Sequence, residues 1–135
     1  MRCLGGQPYT EYVKKIINCQ TNEFETISNY DFKLFYNVKE MIDAVRKHDN
    51  EIGLSKTVAG YSWKWNTKPS GKPNNNYDYY NNLIKKGMYD IEIQGNKFIW
   101  NLTTEGWISR LDSHYTIGCI HTTQGFDLNY VGVIF

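Results

Sequence analysis

The chain has 135 residues, enough for one domain that buries roughly two-thirds of the surface its unfolded form exposes. Its 41% hydrophobic and 16% aromatic content excludes a disordered segment, and 15 basic against 14 acidic residues exclude a strong global field toward polyanions or membranes. No apolar run reaches membrane-spanning length, the start MRCLGGQPY lacks a signal-peptide core, and Cys3, Cys19 and Cys119 have no metal-type spacing, so a reducing cytoplasm is expected and no membrane partner.

Arg2 to Leu4 reads as the remnant of a strand, followed by a Gly5-Gly6 turn. Pro8 then opens a helix with Tyr9, Tyr12, Val13, Ile16 and Ile17 on one face. Asp31 to Tyr36 alternates Phe32, Leu34 and Tyr36 with charged residues, the pattern of a strand. Asn37 is placed to cap a helix from Val38 to about His48, whose apolar stripe is Met41, Ile42 and Val45. Lys56 to Trp65 (KTVAGYSWKW) reads as the next strand, giving the β-α-β-α-β alternation of a layered α/β domain with a mostly parallel sheet.

The polar stretch Asn66 to Asn76, with Pro69 and Pro73, breaks that alternation. Tyr89 to Trp100 (YDIEIQGNKFIW) alternates on both sides of Gly95-Asn96 and predicts a β-hairpin. Residues 66 to about 112 therefore read as an insertion within one domain spanning 1–135. Tyr115 to Ile120 and Tyr130 to Phe135 return to the sheet, the last expected as a central strand covered on both faces because it is apolar almost throughout. A chain ending on such a strand reads as a piece of something larger, with cut strand edges open to homodimer pairing.

Between those two strands lies His121-Thr122-Thr123-Gln124-Gly125, at the carboxyl end of a strand, where open α/β sheets bind ligands. Two hydroxyls, an amide, an imidazole and a glycine that admits close backbone approach suit a polyanion, and Asp127 adds an acceptor for a hydroxyl such as a ribose. The same composition also fits a polar loop in which His121 and Gln124 merely satisfy nearby backbone. On spacing alone the two readings stand level.

The segment TIGCIHTTQGFDLNYVGVIF resembles motif V of superfamily 1 helicases: a histidine, two small residues, Gln or Lys, then Gly and an acidic residue before a hydrophobic strand. More closely, it resembles a bacterial family of DNA/RNA helicase domains related to the helicase-like part of the Schlafen proteins. AGYSWKW (Ala59 to Trp65) and KFIWNLTTEGWISR (Lys97 to Arg110) are similar to further segments of that family, and RCLGGQPYTEYV (Arg2 to Val13) to its motif IV. The resemblance implies a three-layer RecA-like fold and most of the second RecA-like domain of an ATP-dependent helicase or nucleic-acid-stimulated NTPase.

Residue by residue, the resemblance implies that Arg2 reaches nucleotide phosphates. It implies that His121, Thr122 and Thr123 contact single-stranded DNA or RNA or support the loop that does. Gln124 and Gly125 would form the turn that couples nucleic acid to nucleotide, and Asp127 stands where Glu is commoner, with a shorter reach to a ribose. Asn129 occupies a position where the family often has Asp. ATP hydrolysis needs a phosphate-cradling loop and an acidic pair for Mg²⁺. Here the nearest likeness, Gly53-Leu54-Ser55-Lys56-Thr57, has Ser55 in place of the glycine before the lysine. ATP and Mg²⁺ are therefore expected in the parent protein, shared with an N-terminal RecA-like domain, and not on this chain alone. The rival reading is a nucleic-acid or protein binding module with a helicase-like fold and no motor function.

Other constellations favour bland roles. Tyr61, Trp63 and Trp65 alternate and share a strand face, more readily core than a base-stacking platform. Tyr77, Tyr79 and Tyr80 lie near Lys68, Lys72, Lys85 and Lys86, a composition seen both in nucleic-acid surfaces and in solvated loops. Cys119 with His121 lacks a group to orient the imidazole of a thiol nucleophile, and His114, Cys119 and His121 lack a fourth metal ligand. Gly60 and Gly118 suggest close backbone packing.

Overall fold

The computed structural model describes residues 5–21, 27, 30–71, 76–103, 106–109, 113 and 116–135. The expected strand at residues 2–4, and with it Arg2, as well as Lys72 and His114, lies outside the described residues. The chain divides into two compact units, residues 1–34 and 35–135.

In the first unit, helix α1 (Gly6–Ile17) has Lys14 and Lys15 in its last turn, where cations suit the carbonyl end of the helix dipole. Tyr12 is its buried residue, and Tyr9 and Tyr12 pack their rings against Phe32 with centroids 6.1 and 6.0 Å apart. Ile16 and Ile17, expected on the apolar face, are exposed at the C-terminal end. Asp31 to Tyr36 is not a strand. Alternation alone makes no strand without a partner ladder, and among the described residues this segment has none: Phe32 turns to the α1 tyrosines while Leu34 and Tyr36 face solvent.

Helix α2 (Val38–Ile52) begins as expected. The Asn37 Oδ1 accepts from the Lys39 and Glu40 N–H groups at 2.9 and 3.1 Å, satisfying two of the helix's otherwise orphaned donors. Val38, Met41, Ile42 and Val45 form its buried stripe. Its start is also held from a distance, because the Gln94 amide accepts from the Val38 N–H at 2.9 Å and donates to the Tyr36 carbonyl at 2.7 Å. The side chain thereby stands in for a strand backbone.

Among the described residues five strands follow: β1 (Ser55–Ala59), β2 (Ile91–Ile93), β3 (Asn96–Trp100), β4 (Thr116–Ile117) and β5 (Tyr130–Ile134). Strands β2 and β3 form the expected hairpin, turning at Gln94-Gly95, and β3 runs parallel to β4. Strands β1 and β5 are also parallel. A bridge between Val58 and Gly118 joins the two ladders, with the Gly118 N–H donating to the Thr57 carbonyl at 3.0 Å and the Ala59 N–H to the Gly118 carbonyl at 2.9 Å. The order is thus β2-β3-β4-β1-β5, with β2 alone antiparallel. This is a mixed α/β arrangement in which the hairpin continues the sheet.

Both faces of the sheet are packed. Val38, Met41 and Ile42 of α2 lie against Ala59, Trp100, Ile117 and Ile134 on one face. On the other, Leu83 of α3 (Asn76–Lys85) meets Ile99 and Leu102, while Trp107 and Ile108, from a 3-10 turn at Trp107–Ser109, cover Val58. Two glycines allow these approaches. A Cβ on Gly132 would come within 2.9 Å of Val45 on α2, and one on Gly118 within 2.5 Å of the Trp107 ring. At Gly60 a Cβ would meet nothing within 4 Å, so the close packing expected there is absent.

Among the described residues strand β5 stands at the edge of the sheet. It pairs with β1 only among the described residues, and Val131 and Val133 remain 47% and 52% exposed opposite the α2 face. Its apolar run reads as doubly covered because neighbour order is not written in local sequence. Strand β1 is buried throughout, Lys56 included.

Candidate functional site

Because β1, β3, β4 and β5 run parallel, their carboxyl ends share one edge of the sheet. The segments leaving that edge carry Tyr61 after β1, Asn101 after β3 and the polar elbow 119–125 after β4. The elbow is built on a hydroxyl. Thr122 is buried, its Oγ1 accepting from the Cys119 N–H at 2.9 Å and donating to the Cys119 carbonyl at 2.7 Å. The Thr122 N–H also donates to the Cys119 carbonyl at 3.0 Å. Past this knot the chain turns outward: His121, Gln124 and Gly125 are exposed, and the Thr123 hydroxyl donates to the Ile120 carbonyl at 3.3 Å. Gly125 has φ +87° with open space where a Cβ would be, so its backbone is approachable in a conformation that side-chain-bearing residues resist.

Behind the elbow lies a fully buried thiol. Cys119 Sγ donates to Asn101 Oδ1 at 3.2 Å, and the Tyr61 hydroxyl donates to Cys119 Sγ at 3.9 Å. Asn101, itself buried at φ +51°, meets this thiol with its amide oxygen. The arrangement removes the thiol-nucleophile reading, because the sulfur faces Asn101 and Tyr61 inside the protein while His121 is exposed. Among the described residues no three His, Cys, Asp or Glu side chains converge as for a metal ion.

The aromatic trio after β1 separates at this edge. The chain leaves the strand after Ala59, so Trp63 and Trp65 pack against the α2-side core while Tyr61 stays 58% exposed. Trp100 lies between Tyr61 and Trp65, at ring-centroid distances of 4.8 and 5.9 Å, and its Nε1 donates to the Ala59 carbonyl at 3.3 Å. His121 and Tyr61 meet at 6.0 Å. Desolvation at its hydroxyl, then the Cys119 thiol beside it, pushes the Tyr61 phenol above its ordinary value, so it stays protonated and neutral.

The remaining candidates have mixed placements. Gln124 and Asp127 are both exposed on the segment leading to β5. Asn129 is structural: its side-chain amide donates to the Ile52 and Gly53 carbonyls at 3.3 and 3.0 Å, and its N–H donates to the Leu54 carbonyl at 2.9 Å. Tyr79 and Tyr80 pack on the Leu83 cluster while Tyr77 is exposed, which dissolves the expected aromatic cluster. Lys56, from the glycine-lysine likeness to a phosphate loop, is buried, and its Nζ donates to Asp49 Oδ2 at 2.6 Å.

Sequence reasoning missed Asp90. Its carboxylate is buried and accepts from the Thr67 N–H and hydroxyl at 2.8 and 2.5 Å and from the Trp100 N–H at 2.9 Å, tying the polar loop to β3. An acidic residue just before an apolar alternation was the available signal.

Parallel strands ending together beneath a polar, glycine-bearing elbow define a layered α/β domain of the kind that receives ligands at its carboxyl edge. Residues 1–135 match the family described as Schlafen group 3, DNA/RNA helicase domain, and the chain belongs to that family. It is similar to an uncharacterized protein of Saccharomyces cerevisiae, 30% identical over 110 residues that cover 82% of this chain and 22% of that relative. No solved structure matches the chain.

Proposed function

We propose that this chain is the nucleic-acid-contacting part of a helicase-like protein, corresponding to most of a second RecA-like domain of the superfamily 1 type. The elbow 121–125 grips a single strand of DNA or RNA there. The observation that carries the reading is the elbow's position: its buried Thr122 knot presents His121, Gln124 and the open Gly125 backbone at the edge where four parallel strands end. Such a loop suits sugar–phosphate contacts, which come largely from polar side chains and backbone N–H groups.

Nucleotide chemistry belongs, on this reading, to the larger protein. Lys56 is occupied by Asp49 and cannot cradle a triphosphate, so a second, N-terminal RecA-like domain would supply the ATP and Mg²⁺ site. Gln124, Gly125 and Asp127 would meet the nucleotide only at its margin. The occupied Lys56 is equally compatible with the second reading, a nucleic-acid or protein binding module without motor activity. The two part on whether the whole protein shows strand-stimulated ATP hydrolysis.

The test is titration of the chain with labelled single strands of DNA and RNA at about 50 and about 200 mM salt, with His121→Ala/Gln124→Ala beside the unaltered protein. We expect binding that weakens with salt and a further loss of roughly tenfold in the double variant, the size of one or two polar contacts. Equal binding by both proteins removes the elbow from the site.

A further inference from the structure

The elbow explains how a strand's backbone is held but leaves an exposed aromatic ring beside it unassigned. Tyr61 is 58% exposed, although Trp63 and Trp65 of the same run are drawn to the core. The ring is nevertheless fixed at two points. It meets the Trp100 ring in an edge-to-face contact, with planes 85° apart and centroids at 4.8 Å, and its hydroxyl is tied to the buried Cys119 Sγ at 3.9 Å. Behind that sulfur the chain of contacts continues to Asn101 at 3.2 Å. The exposed His121 ring stands 6.0 Å away at an interplanar angle of 61°, flanking the phenol on the elbow side.

We propose that Tyr61 is a stacking platform for one nucleobase of the strand held by the elbow, with the His121 imidazole as the side wall of the same subsite. The inference rests on the nucleic-acid reading above and adds a base contact to a site otherwise made of backbone contacts. A base is the ligand class the geometry selects. The phenol carries no positive charge for a phosphate and has committed its hydroxyl to Cys119, so its exposed π-surface is what it offers. A ring already pinned loses little further rotamer freedom when a base lies on it. Stacking of this kind tolerates any base, because every base has a π-face.

The decisive comparison sets a labelled oligothymidylate against an abasic strand of the same length and phosphate count. Tyr61→Leu should weaken oligothymidylate binding by roughly 5- to 150-fold, the range of a single base–aromatic stack, and leave abasic-strand binding unchanged. Tyr61→Phe, which keeps the ring, should stay close to the unaltered protein. A 2-aminopurine-containing strand gives a second reading that does not depend on affinity, as its emission should fall on binding to the unaltered protein and less with Tyr61→Leu. Thermal unfolding of each variant, followed by circular dichroism, checks that the fold is kept. Loss of both strands by the same factor in a folded Tyr61→Leu protein, or loss of neither, overturns the base contact while the elbow reading stands. Failure of the unaltered chain to bind either strand at low salt removes both together.

Discussion

Replacing Lys56 by Met should cost about 4 kcal/mol, because it strands a carboxylate in the protein interior. The Lys56 and Asp49 side chains are 6% and 4% exposed, with Nζ and Oδ2 2.6 Å apart, so neither charge has water to fall back on. Asp49 also accepts from the Ser55 N–H through Oδ1 at 2.7 Å, which fixes the α2–β1 connection. Removing one partner of such a pair typically costs 3–5 kcal/mol, roughly a fifth or more of the 5–15 kcal/mol that holds a domain folded. With a urea slope of about 2 kcal/mol/M, the unfolding midpoint should drop by about 2 M, followed by the fluorescence of the buried tryptophans. Asp49→Asn added to Lys56→Met removes the orphaned charge yet keeps an acceptor for Ser55, and should recover at least about half of the loss. A single variant that loses less than about 1 kcal/mol would show the pair screened like a surface ion pair, and a double variant as unstable as the sum of the singles would show no coupling.

Asp90→Ala deprives Thr67 and Trp100 of their shared acceptor and should cost about 3 kcal/mol, against about 1 for Asp90→Asn, measured by thermal unfolding; equal losses would mean that the acceptor oxygen Asn retains contributes nothing there. Alkaline pH should also destabilise the fold. Burial and the nearby Asp90 charge raise Tyr79, desolvation and Cys119 raise Tyr61, and the bond to Glu92 raises Tyr89. A raised phenol favours the folded state while the hydroxyl stays protonated, so this contribution is intact below about pH 10 and is lost as the pH climbs from there through the higher folded values. Urea titrations at stepped pH should show the decline, and Tyr79→Phe should make it shallower.

What the sequence disclosed is what local chemistry decides. Asn37 ahead of Met41, Ile42 and Val45 announced a capped amphipathic helix, and the alternation around Gly95 announced a hairpin; each needs only its own neighbours to form. Gly118 was legible as a close approach, though Trp107 as its cause was not. The misreadings concern partners distant in the chain. Phe32, Leu34 and Tyr36 alternate without a ladder to join, and Val131 and Val133 look buried until the order of strands leaves β5 uncovered on one face. The site divides the same way. That a glycine-bearing polar loop would follow a strand was readable, and so was its location at a carboxyl edge. The inward turn of Thr122 and the exposure of Tyr61 were not, because both depend on where Cys119, Trp100 and Asn101 sit in three dimensions.

The Gln94 clamp couples two parts of the sheet-bearing unit that no secondary-structure ladder joins. The residue sits at the tip of the β2–β3 hairpin, yet its amide holds the first turn of α2, and the far end of that helix is anchored by the ion pair to β1. Tip, helix and inner strand are thereby tied together at both ends of α2, while Met41 and Ile42 seat the helix on the sheet between those ties.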